Sequence, residues 1–484
     1  MPRGRLRRQI ALLAAVFASL AGPAARAADT PLAQAVGREV QAALHGTAAL
    51  GVHVVEVESG ATVFAYAPDE PRVIASNTKL LTTAAALEAL GPGFFFETRF
   101  LFRGSVKDGV LEGDLGVVGG GDPSISGRAN DGDSLAVFRG WARELAARGV
   151  RKVRGDLYLA DGLFEPLEIH PDWPRGQLAS WYEAPIAALS FNENCMLVRV
   201  SPGKRGRAAV VETVPPVPLF RLDNTARTVA PRKRGLHLAI SRVDDLLRVS
   251  GAVAENSGTF DTWITVPDPV AYFGAALRTA LAEEGIAIAG RQRPVEQLPG
   301  PLWERVAVYR SDLATAVEVT LKHSQNFFAE SLMKQLAARR CGLGSWHEGI
   351  QAVSEFLVGT GVPAGTFALS DGSGLSRRNR FTPRHLTQLL RYMYFRPDGA
   401  LWARSMPYAG EDLGSWKRRL ANPPYRGNVF AKTGTLEGVS ALSGYARAVS
   451  GKLYAFSILL NGARGGWNPH RAQDQIVMAL VDNG

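Results

Sequence analysis

The stretch Ser76-Asn77-Thr78-Lys79-Leu80-Leu81-Thr82-Thr83-Ala84 places a lysine three residues after a serine, at the start of an apolar run. The run continues to Leu90, where Gly91-Pro92 follows, and this pattern predicts a helix that begins at Ser76. Residues i and i+3 share a helix face, so Lys79 is within reach of the serine hydroxyl. A lysine with a lowered pKa can act as the base that a serine nucleophile needs. Taken alone, however, Ser76 is more simply explained as a helix N-cap.

A second string, Ser324-Gln325-Asn326, lies between two segments with helical patterns. In a catalytic interpretation Ser324 relays a proton between two lysines and the leaving group, while Asn326 orients Lys79 and binds a substrate amide. In a structural interpretation one of these polar side chains merely caps the helix that follows. The string by itself leaves both interpretations open.

The third string, Lys432-Thr433-Gly434-Thr435, ends a predicted strand. Lys432 is a second cation that would lower the pKa of Lys79 and attract a carboxylate at the end of a substrate. A glycine at a strand edge lets an extended ligand approach closely, and the backbone N–H groups of Ser76 and Thr435 would then form an oxyanion hole. The candidate substrate-binding residues of this string are Thr433, Gly434 and Thr435.

The first residues predict an export signal. Arg3, Arg5, Arg7 and Arg8 precede an apolar run over residues 10–20 and the small-x-small string Ala25-Arg26-Ala27. The apolar run is too short to span a bilayer, so residues 1–27 are predicted to be a cleaved signal peptide. A buried N-terminal helix, the alternative, leaves the arginines unexplained. No later segment resembles a transmembrane helix, so we expect a periplasmic protein without a stable membrane span.

Charge and cysteine content narrow the classes of partner. Removing residues 1–27 takes away five arginines and lowers the formal charge from +10 to +5. Two basic patches remain, Lys204-Arg205-Gly206-Arg207 and Arg232-Lys233-Arg234, which we interpret as solvated loops, with attraction to anionic envelope polymers as the alternative. We expect no nucleic acid as partner. The pair Cys195 and Cys341 excludes a disulfide framework and disfavours structural zinc, while a single bridge stays open.

The texture of the chain changes twice along its length. Short apolar strands and Gly/Pro turns replace long helices after about residue 95, and helices return after about residue 305. We therefore predict a discontinuous catalytic domain, 29–94 plus 305–484, around two inserted β-rich domains, 95–125 plus 186–304 and 126–185. The expected helices cover 32–44, 76–90, 312–322, 326–340, 383–395 and 469–481, and the expected strands cover 52–57, 62–66, 98–102, 110–118, 156–159, 429–435, 441–449 and 452–460.

The three strings, in this order, resemble the penicillin-recognising serine enzymes. The closer resemblance is to the class C low-molecular-mass penicillin-binding proteins, the type-4 group of D-alanyl-D-alanine carboxypeptidases/endopeptidases. It covers essentially the whole chain after residue 27, and the long interval between Ser76 and Ser324 matches the large insertion of that family. The further matching strings are Gly120-Gly121-Asp122-Pro123-Ser124, Asp371-Gly372-Ser373-Gly374-Leu375-Ser376-Arg377 and Lys432-Thr433-Gly434-Thr435-Leu436.

The resemblance implies an α/β (α+β) transpeptidase-type domain, shared by penicillin-binding proteins and β-lactamases, whose insertion forms one or two extra β-rich domains. It also implies that Ser76 attacks D-Ala-D-Ala termini or D-Ala–meso-diaminopimelate cross-links of peptidoglycan and forms an acyl-enzyme, with Lys79 as general base. β-Lactam antibiotics would acylate the same serine, and no cofactor or metal is implied. By analogy Arg377 would contact the free end of the diaminopimelyl side chain, although a surface arginine is the alternative. The oligomeric state stays open, a homo-oligomer included.

The inserted segment departs from the family's pattern at one position. Many relatives carry an aspartate that helps to recognise the stem-peptide amine, ahead of a Tyr-x-Ala-Pro string that is Tyr182-Glu183-Ala184-Pro185 here. Gly176 or Gln177 stands at that position in this chain. Recognition of the amine is then weaker or supplied by Glu183 or Asp172, so the departure concerns substrate preference and not the chemistry.

Two other functions are compatible with the same scaffold. A β-lactamase shares the nucleophile but needs a further base for rapid deacylation, such as a Glu-x-x-Leu-Asn string or a Tyr-x-Asn middle string, and the sequence contains neither. A catalytically idle cell-wall-binding protein would be expected to lack Ser76, Lys79 or Lys432, and all three are present. The sequence therefore favours the peptidase.

Overall fold

The computed structural model describes residues 30–231 and 237–484. The predicted signal peptide and the patch Arg232-Lys233-Arg234 lie outside the described residues. The other basic patch, residues 204–207, is exposed to solvent. Cys195 is buried and Cys341 exposed, and both are free thiols, so the bridge that the sequence left open is not formed.

The strands of the described residues are numbered here in chain order. They are β1 (Thr47–Glu56), β2 (Thr62–Tyr66), β3 (Arg72–Val73), β4 (Phe95–Lys107), β5 (Val110–Val118), β6 (Lys152–Val153), β7 (Leu157–Ala160), β8 (Cys195–Ser201), β9 (Val210–Val214), β10 (Arg221–Asn224), β11 (Arg227–Val229), β12 (Leu238–Val243), β13 (Leu246–Ala254), β14 (Phe260–Thr265), β15 (Ala287–Ile288), β16 (Gln292–Val295), β17 (Glu304–Asp312), β18 (Arg380–Phe381), β19 (Val429–Leu436), β20 (Val439–Arg447) and β21 (Leu453–Ala463).

The α-helices cluster at the two ends of the described chain. They are α1 (Pro31–Ala43), α2 (Thr78–Leu90), α3 (Ala136–Ala147), α4 (Pro269–Glu283), α5 (Leu313–Lys322), α6 (Asn326–Cys341), α7 (Trp346–Gly359), α8 (Pro383–Tyr394), α9 (Gly399–Arg404) and α10 (Pro469–Asn483).

A five-stranded antiparallel sheet joins the two ends of the chain in the order β19-β20-β21-β1-β2. In its centre Val52 of β1 pairs with Ile458 of β21. Successive side chains of a strand point to opposite faces, and both faces of this sheet are covered by helices. Val54 and Ile458 pack with α1 and α10, whereas Val55 and Leu459 belong to the core formed with α2, α6 and α8. Both faces are therefore buried, which explains the unbroken apolar runs in these strands.

The inserted part of the chain builds separate sheets. Strands β15-β6-β5-β4-β17, with β7 paired to β5 and β16 paired to β7, form a seven-stranded sheet that buries Phe100 with Phe138 of α3 and Phe273 of α4. Asp108 and Gly109 both have positive φ in the β4–β5 turn, as an Asp-Gly hairpin requires. Smaller sheets contain β14-β8-β9 and β10-β13-β11 with β12. The domain boundaries given above remain a prediction.

The predicted elements agree with this structure in kind and differ at their ends. The strand over 110–118 has the predicted bounds, while β4 extends from Phe95 to Lys107 because its pairing with β17 and β5 continues past the apolar core. The helix predicted to begin at Ser76 is wrong by two residues. Ala75 has φ +46, so residues 75–77 form a 3₁₀ turn and α2 begins at Thr78. Within the described residues, no helix is both long and apolar enough to cross a membrane.

Candidate active site

Ser76 lies in the 3₁₀ turn that leads into α2, beneath the edge of the five-stranded sheet. Its Oγ is 3.1 Å from Lys79 Nζ. The N-cap of α2 is Asn77, and no side chain makes a capping hydrogen bond there. The hydroxyl of Ser76 therefore pairs with the lysine instead of capping the helix. The N-terminus of α2 also favours negative charge that develops nearby.

Lys79 is fully buried and has three partners. Its Nζ is 2.7 Å from Asn326 Oδ1, 2.7 Å from the Ser373 carbonyl oxygen and 3.1 Å from Ser76 Oγ. The first two atoms only accept hydrogen bonds, whereas the hydroxyl both donates and accepts. A neutral lysine that donates its two hydrogens to those acceptors has its lone pair left for the serine. The three contacts therefore match what a general base for Ser76 requires.

The protonation of Lys79 is shifted in the same direction. Burial lowers its pKa to about 7, and the negative charges of Glu330 and Asp371 raise it in part. An ordinary lysine carries its proton throughout the neutral range, whereas this one is substantially deprotonated near pH 7. A substantial fraction of Lys79 is therefore neutral, and able to accept a proton, near pH 7.

Lys432 lies in the middle of β19. It is 1% exposed, and its Nζ donates to Ser324 Oγ and to the Thr433 carbonyl, each at 2.9 Å. Burial, with the charge of Lys79 added to it, holds the pKa of Lys432 well below its usual range. Ser324 has φ +55, a conformation that non-glycine residues rarely adopt, so its bend between α5 and α6 is held by the surroundings.

Asn326 is the first residue of α6, but its side chain does not cap that helix. The N-cap is Gln325, without a side-chain capping bond. Asn326 accepts from Lys79 through Oδ1 and donates from Nδ2 to the Tyr182 carbonyl at 2.9 Å. Both ends of the amide are engaged, which orients its oxygen towards the lysine. The Asn326 side chain therefore contacts Lys79 and Tyr182 and does not cap α6.

Gly434 allows β19 to approach the turn that carries Ser76. A Cβ at this position would lie 2.6 Å from the Ile74 carbonyl oxygen and 3.1 Å from Ser76 N. In addition, Asn77 Nδ2 donates to the Lys432 carbonyl at 2.9 Å. The glycine and this hydrogen bond bring the first and third strings together across the whole length of the sequence.

A cleft of about 350 Å³ opens above these groups. Arg377 is exposed beside it and donates to the carbonyl of Glu437, a lining residue, at 2.6 Å. The cleft thus collects Ser76, Ser324, Asn326 and Thr435 from the predicted site. Its other lining residues are Gln177, Trp181, Tyr182, Gly374, Leu375, Leu436 and Glu437.

The departure at residue 177 is visible in the cleft wall. Gln177 accepts from the Tyr182 hydroxyl at 3.0 Å. Asp172 is occupied elsewhere, because its carboxylate accepts from Ser370 and pairs with Arg378 at 3.1 Å. Glu183 is fully buried, and burial raises the pKa of its carboxyl to about 7. Neither of these acids is among the residues that line the cleft.

Two contributions to the site were not found from the sequence as functional residues. The Ser373 carbonyl belongs to a loop whose string was noted only as a family match, and Glu330 lies behind that loop without any motif. Glu330 follows Asn326 by four residues on α6 and therefore shares its helix face. That spacing is the signal that would have placed it near Lys79.

Comparison with known proteins gives the family. Residues 32–482 match the D-Ala-D-Ala carboxypeptidase 3 (S13) family. The chain belongs to this family. The resemblance inferred from the strings is thereby confirmed.

Individual relatives cover most of the chain. A D-alanyl-D-alanine carboxypeptidase from Actinomadura sp. (strain R39) is 34% identical over 457 residues, 91% of this chain and 82% of the relative. A D-alanyl-D-alanine carboxypeptidase from Haemophilus influenzae is 30% identical over 395 residues, 80% of each chain.

Solved structures of the family agree with the fold. The crystal structure of penicillin binding protein 4 from H. influenzae matches with a TM-score of 0.80 at 25% identity, covering 92% of this chain and 98% of the other. A structure of that protein in complex with a novel β-lactam matches with a TM-score of 0.75. The predicted fold class, a penicillin-binding-protein-like domain with β-rich additions, is confirmed.

Proposed function

We propose that this family member is an exported serine-type peptidase of the periplasm. It cleaves D-Ala-D-Ala termini and D-Ala–meso-diaminopimelate cross-links of peptidoglycan through an acyl-enzyme on Ser76. The observation that carries the proposal is the environment of Lys79, whose two pure acceptors leave its lone pair for Ser76 Oγ. The export signal predicted for residues 1–27 supports the compartment.

Acylation begins when neutral Lys79 takes the proton of Ser76 Oγ as this oxygen attacks the substrate carbonyl. The new C–O bond forms, and the carbonyl electrons move to an oxyanion that the N–H groups of Ser76 and Thr435 would stabilise. The C–N bond then breaks, and the proton that Lys79 took from Ser76 passes to the leaving amine through Ser324, which is hydrogen-bonded to Lys432, so that Lys79 is neutral again. Lys79 takes a proton from the water that attacks the resulting ester. The C–O bond to Ser76 then breaks, and the same proton returns to Ser76 Oγ.

Substrate placement follows from the edge position of β19 in its sheet. An extended stem peptide adds alongside this strand, with Thr433, Gly434 and Thr435 as the binding backbone. Lys432 attracts the terminal carboxylate, and Arg377 at the rim is suited to a carboxylate on the diaminopimelyl side chain. Gln177 offers an amide where an acid would hold an amine, so we expect weak dependence on that amine.

The β-lactamase alternative shares the nucleophile and the acylation step. The name of the H. influenzae relative, a carboxypeptidase, favours the peptidase, and the β-lactam complex of penicillin binding protein 4 from that species favours a target of penicillin. A β-lactam would then acylate Ser76 and leave slowly. Release of the acyl group therefore distinguishes the two functions.

The test is covalent labelling of the mature protein with a fluorescent penicillin, followed by digestion of purified peptidoglycan. We expect one adduct on Ser76 by mass spectrometry, no labelling of Ser76→Ala and normal labelling of Ser59→Ala, whose hydroxyl lies in an exposed turn. Intact wild-type protein without an adduct would contradict the proposal.

The products of the digestion separate its finer parts. Free D-alanine reports the carboxypeptidase, and monomers released from cross-linked dimers report the endopeptidase. Rapid loss of the penicillin adduct would instead favour a β-lactamase.

A further inference from the structure

Two buried carboxylates, Glu330 and Asp371, lie behind Lys79 on the side away from the cleft. Neither lines the cleft, and both are 0% exposed. The polar groups around them are mainly backbone N–H groups of the loop over 371–376. Glu330 belongs to none of the strings that mark the family, so the motifs do not account for a buried carboxylate at this position.

Glu330 binds three donors with its two oxygens. Oε1 accepts from Ser373 N at 2.7 Å, and Oε2 accepts from Gly372 N at 2.9 Å and from Trp346 Nε1 at 2.8 Å. Buried carboxylates are costly unless hydrogen-bonded, and here the backbone of the loop supplies most of the compensation. The carboxylate therefore fixes two consecutive peptide units of the loop.

The next atoms of the same loop contact the catalytic helix. The Ser373 carbonyl accepts from Lys79 Nζ at 2.7 Å, and the Gly372 carbonyl accepts from Thr82 Oγ1 at 2.7 Å. The following N–H, of Gly374, donates to Asp371 Oδ1 at 2.8 Å. One side of the loop thus faces the carboxylates and the other faces α2. Loss of the hydrogen bonds from the loop to Glu330 would therefore let the Ser373 carbonyl move away from Lys79.

We propose that Glu330 is a positioning residue for the general base, holding the Ser373 carbonyl against Lys79 and favouring the charged lysine through its own negative charge. This inference rests on the proposed function, since it assigns a role relative to Lys79. Glu330 acts through the loop and through its charge, without touching the substrate.

The negative charge of Glu330 and the burial of Lys79 shift the pKa of the lysine in opposite directions. Glu330 raises the pKa of Lys79 against the effect of burial, while burial raises the pKa of Glu330 itself to about 7. The two groups therefore titrate in one range, and the acid limb of acylation is expected to be broad. The other charged or titratable groups around this pair are Asp371, Lys334 and Lys432, with His170 and Asp172 on the inserted segment.

The experiment measures the second-order rate constant of acylation by benzylpenicillin against pH for wild type and Glu330→Gln. Loss of the negative charge lowers the pKa of Lys79, so the neutral base persists to lower pH. We expect the midpoint of the acid limb to fall by about one pH unit. The plateau should also fall about tenfold, because a carboxamide presents an N–H to one of the three donors.

Glu165→Gln is the matched control. Glu165 accepts from the backbone N of Trp346 at 2.9 Å and lies 3.7 Å from Lys334 Nζ, but it makes no contact with the loop. Its pH profile should coincide with that of wild type. An acid limb of Glu330→Gln at the wild-type midpoint would overturn the inference, whatever the plateau does.

If Glu330→Gln does not fold, Glu330→Asp carries the test. This variant keeps the charge but withdraws it from the loop, so the plateau should fall about tenfold with little movement of the limb. An unchanged plateau would overturn the inference. A wild-type protein that is not acylated at all would instead refute the proposed function, so the two failures are distinguishable.

Discussion

The two sides of the cleft each bury a lysine, and they differ in the charges behind it. Lys79 and Lys432 are both almost completely inaccessible, and each is hydrogen-bonded to a serine hydroxyl and to a backbone carbonyl. Behind Lys79, Glu330 and Asp371 oppose the loss of its proton. For Lys432 the neighbouring charge is Lys79, which adds to the effect of burial.

The difference shows how two identical side chains acquire different roles. The pKa of Lys79 is lowered only to about 7, a value suited to accepting and returning a proton near neutrality. Lys432, without a carboxylate behind it among the described residues, lacks the anion that would hold its charge. A substrate carboxylate would supply that anion. The two lysines can be told apart by substitution.

Removing the base should have the largest effect. Lys79→Ala is expected to reduce the acylation rate by about 10²- to 10⁴-fold, because the group proposed to accept the Ser76 proton is removed. Wild-type acylation requires neutral Lys79, so its rate should rise with pH through about 7, and this limb should vanish in the variant. Labelling kinetics over a pH series provide the measurement. Lys417→Ala, an exposed lysine paired with Asp412, is the control.

A rate for Lys79→Ala within threefold of wild type would mean that another group is the base. The difference between the two lysines would then lose its functional meaning.

Pushing the two sides apart should have the second largest effect. In Gly434→Ala the new Cβ would meet the Ile74 carbonyl and Ser76 N, so the turn that carries the nucleophile must shift. A displacement of about 1 Å at a reacting group costs about 100-fold in rate. The measurement is acylation by the same penicillin, with thermal unfolding to confirm the fold.

Gly93→Ala is the matched control for that change. Gly93 is exposed, and a Cβ there would meet no atom within 4 Å. Equal rates for Gly434→Ala and wild type would show that β19 need not approach the turn so closely.

Removing the cation on the β19 side should have the smallest of the three effects, measured as a change in selection for a substrate carboxylate. Lys432→Ala is expected to weaken selection for a substrate carboxylate about tenfold, in line with a charge-assisted hydrogen bond. The measurement is kcat/KM for two matched peptides, one ending in a free D-alanine carboxylate and the other in its amide. Lys452→Ala, an exposed lysine, should leave the ratio unchanged. A ratio kept by Lys432→Ala would remove the carboxylate role.

Much of the site was predictable because its interactions are local or motif-based. Ser76 and Lys79 are three residues apart, and the helical spacing alone brings them together. The strand ending in Lys432-Thr433-Gly434-Thr435 was recognisable from its apolar run. The true helix start at Thr78 was not, because the φ of +46 at Ala75 depends on packing against β19 and the loop that carries Gly374.

The amino-acid sequence by itself determined the family, the order of the strings and the identity of the reacting groups, since these depend on residue type and short spacing. Only the tertiary structure decided how strongly each lysine holds its proton. The pKa of Lys79 depends on its burial and on the charges of Glu330 and Asp371, which are remote from it in the sequence. Electrostatic energies depend on distance and on solvent exclusion in three dimensions. The same residue type, placed on the two sides of one cleft, therefore came to have two different affinities for a proton.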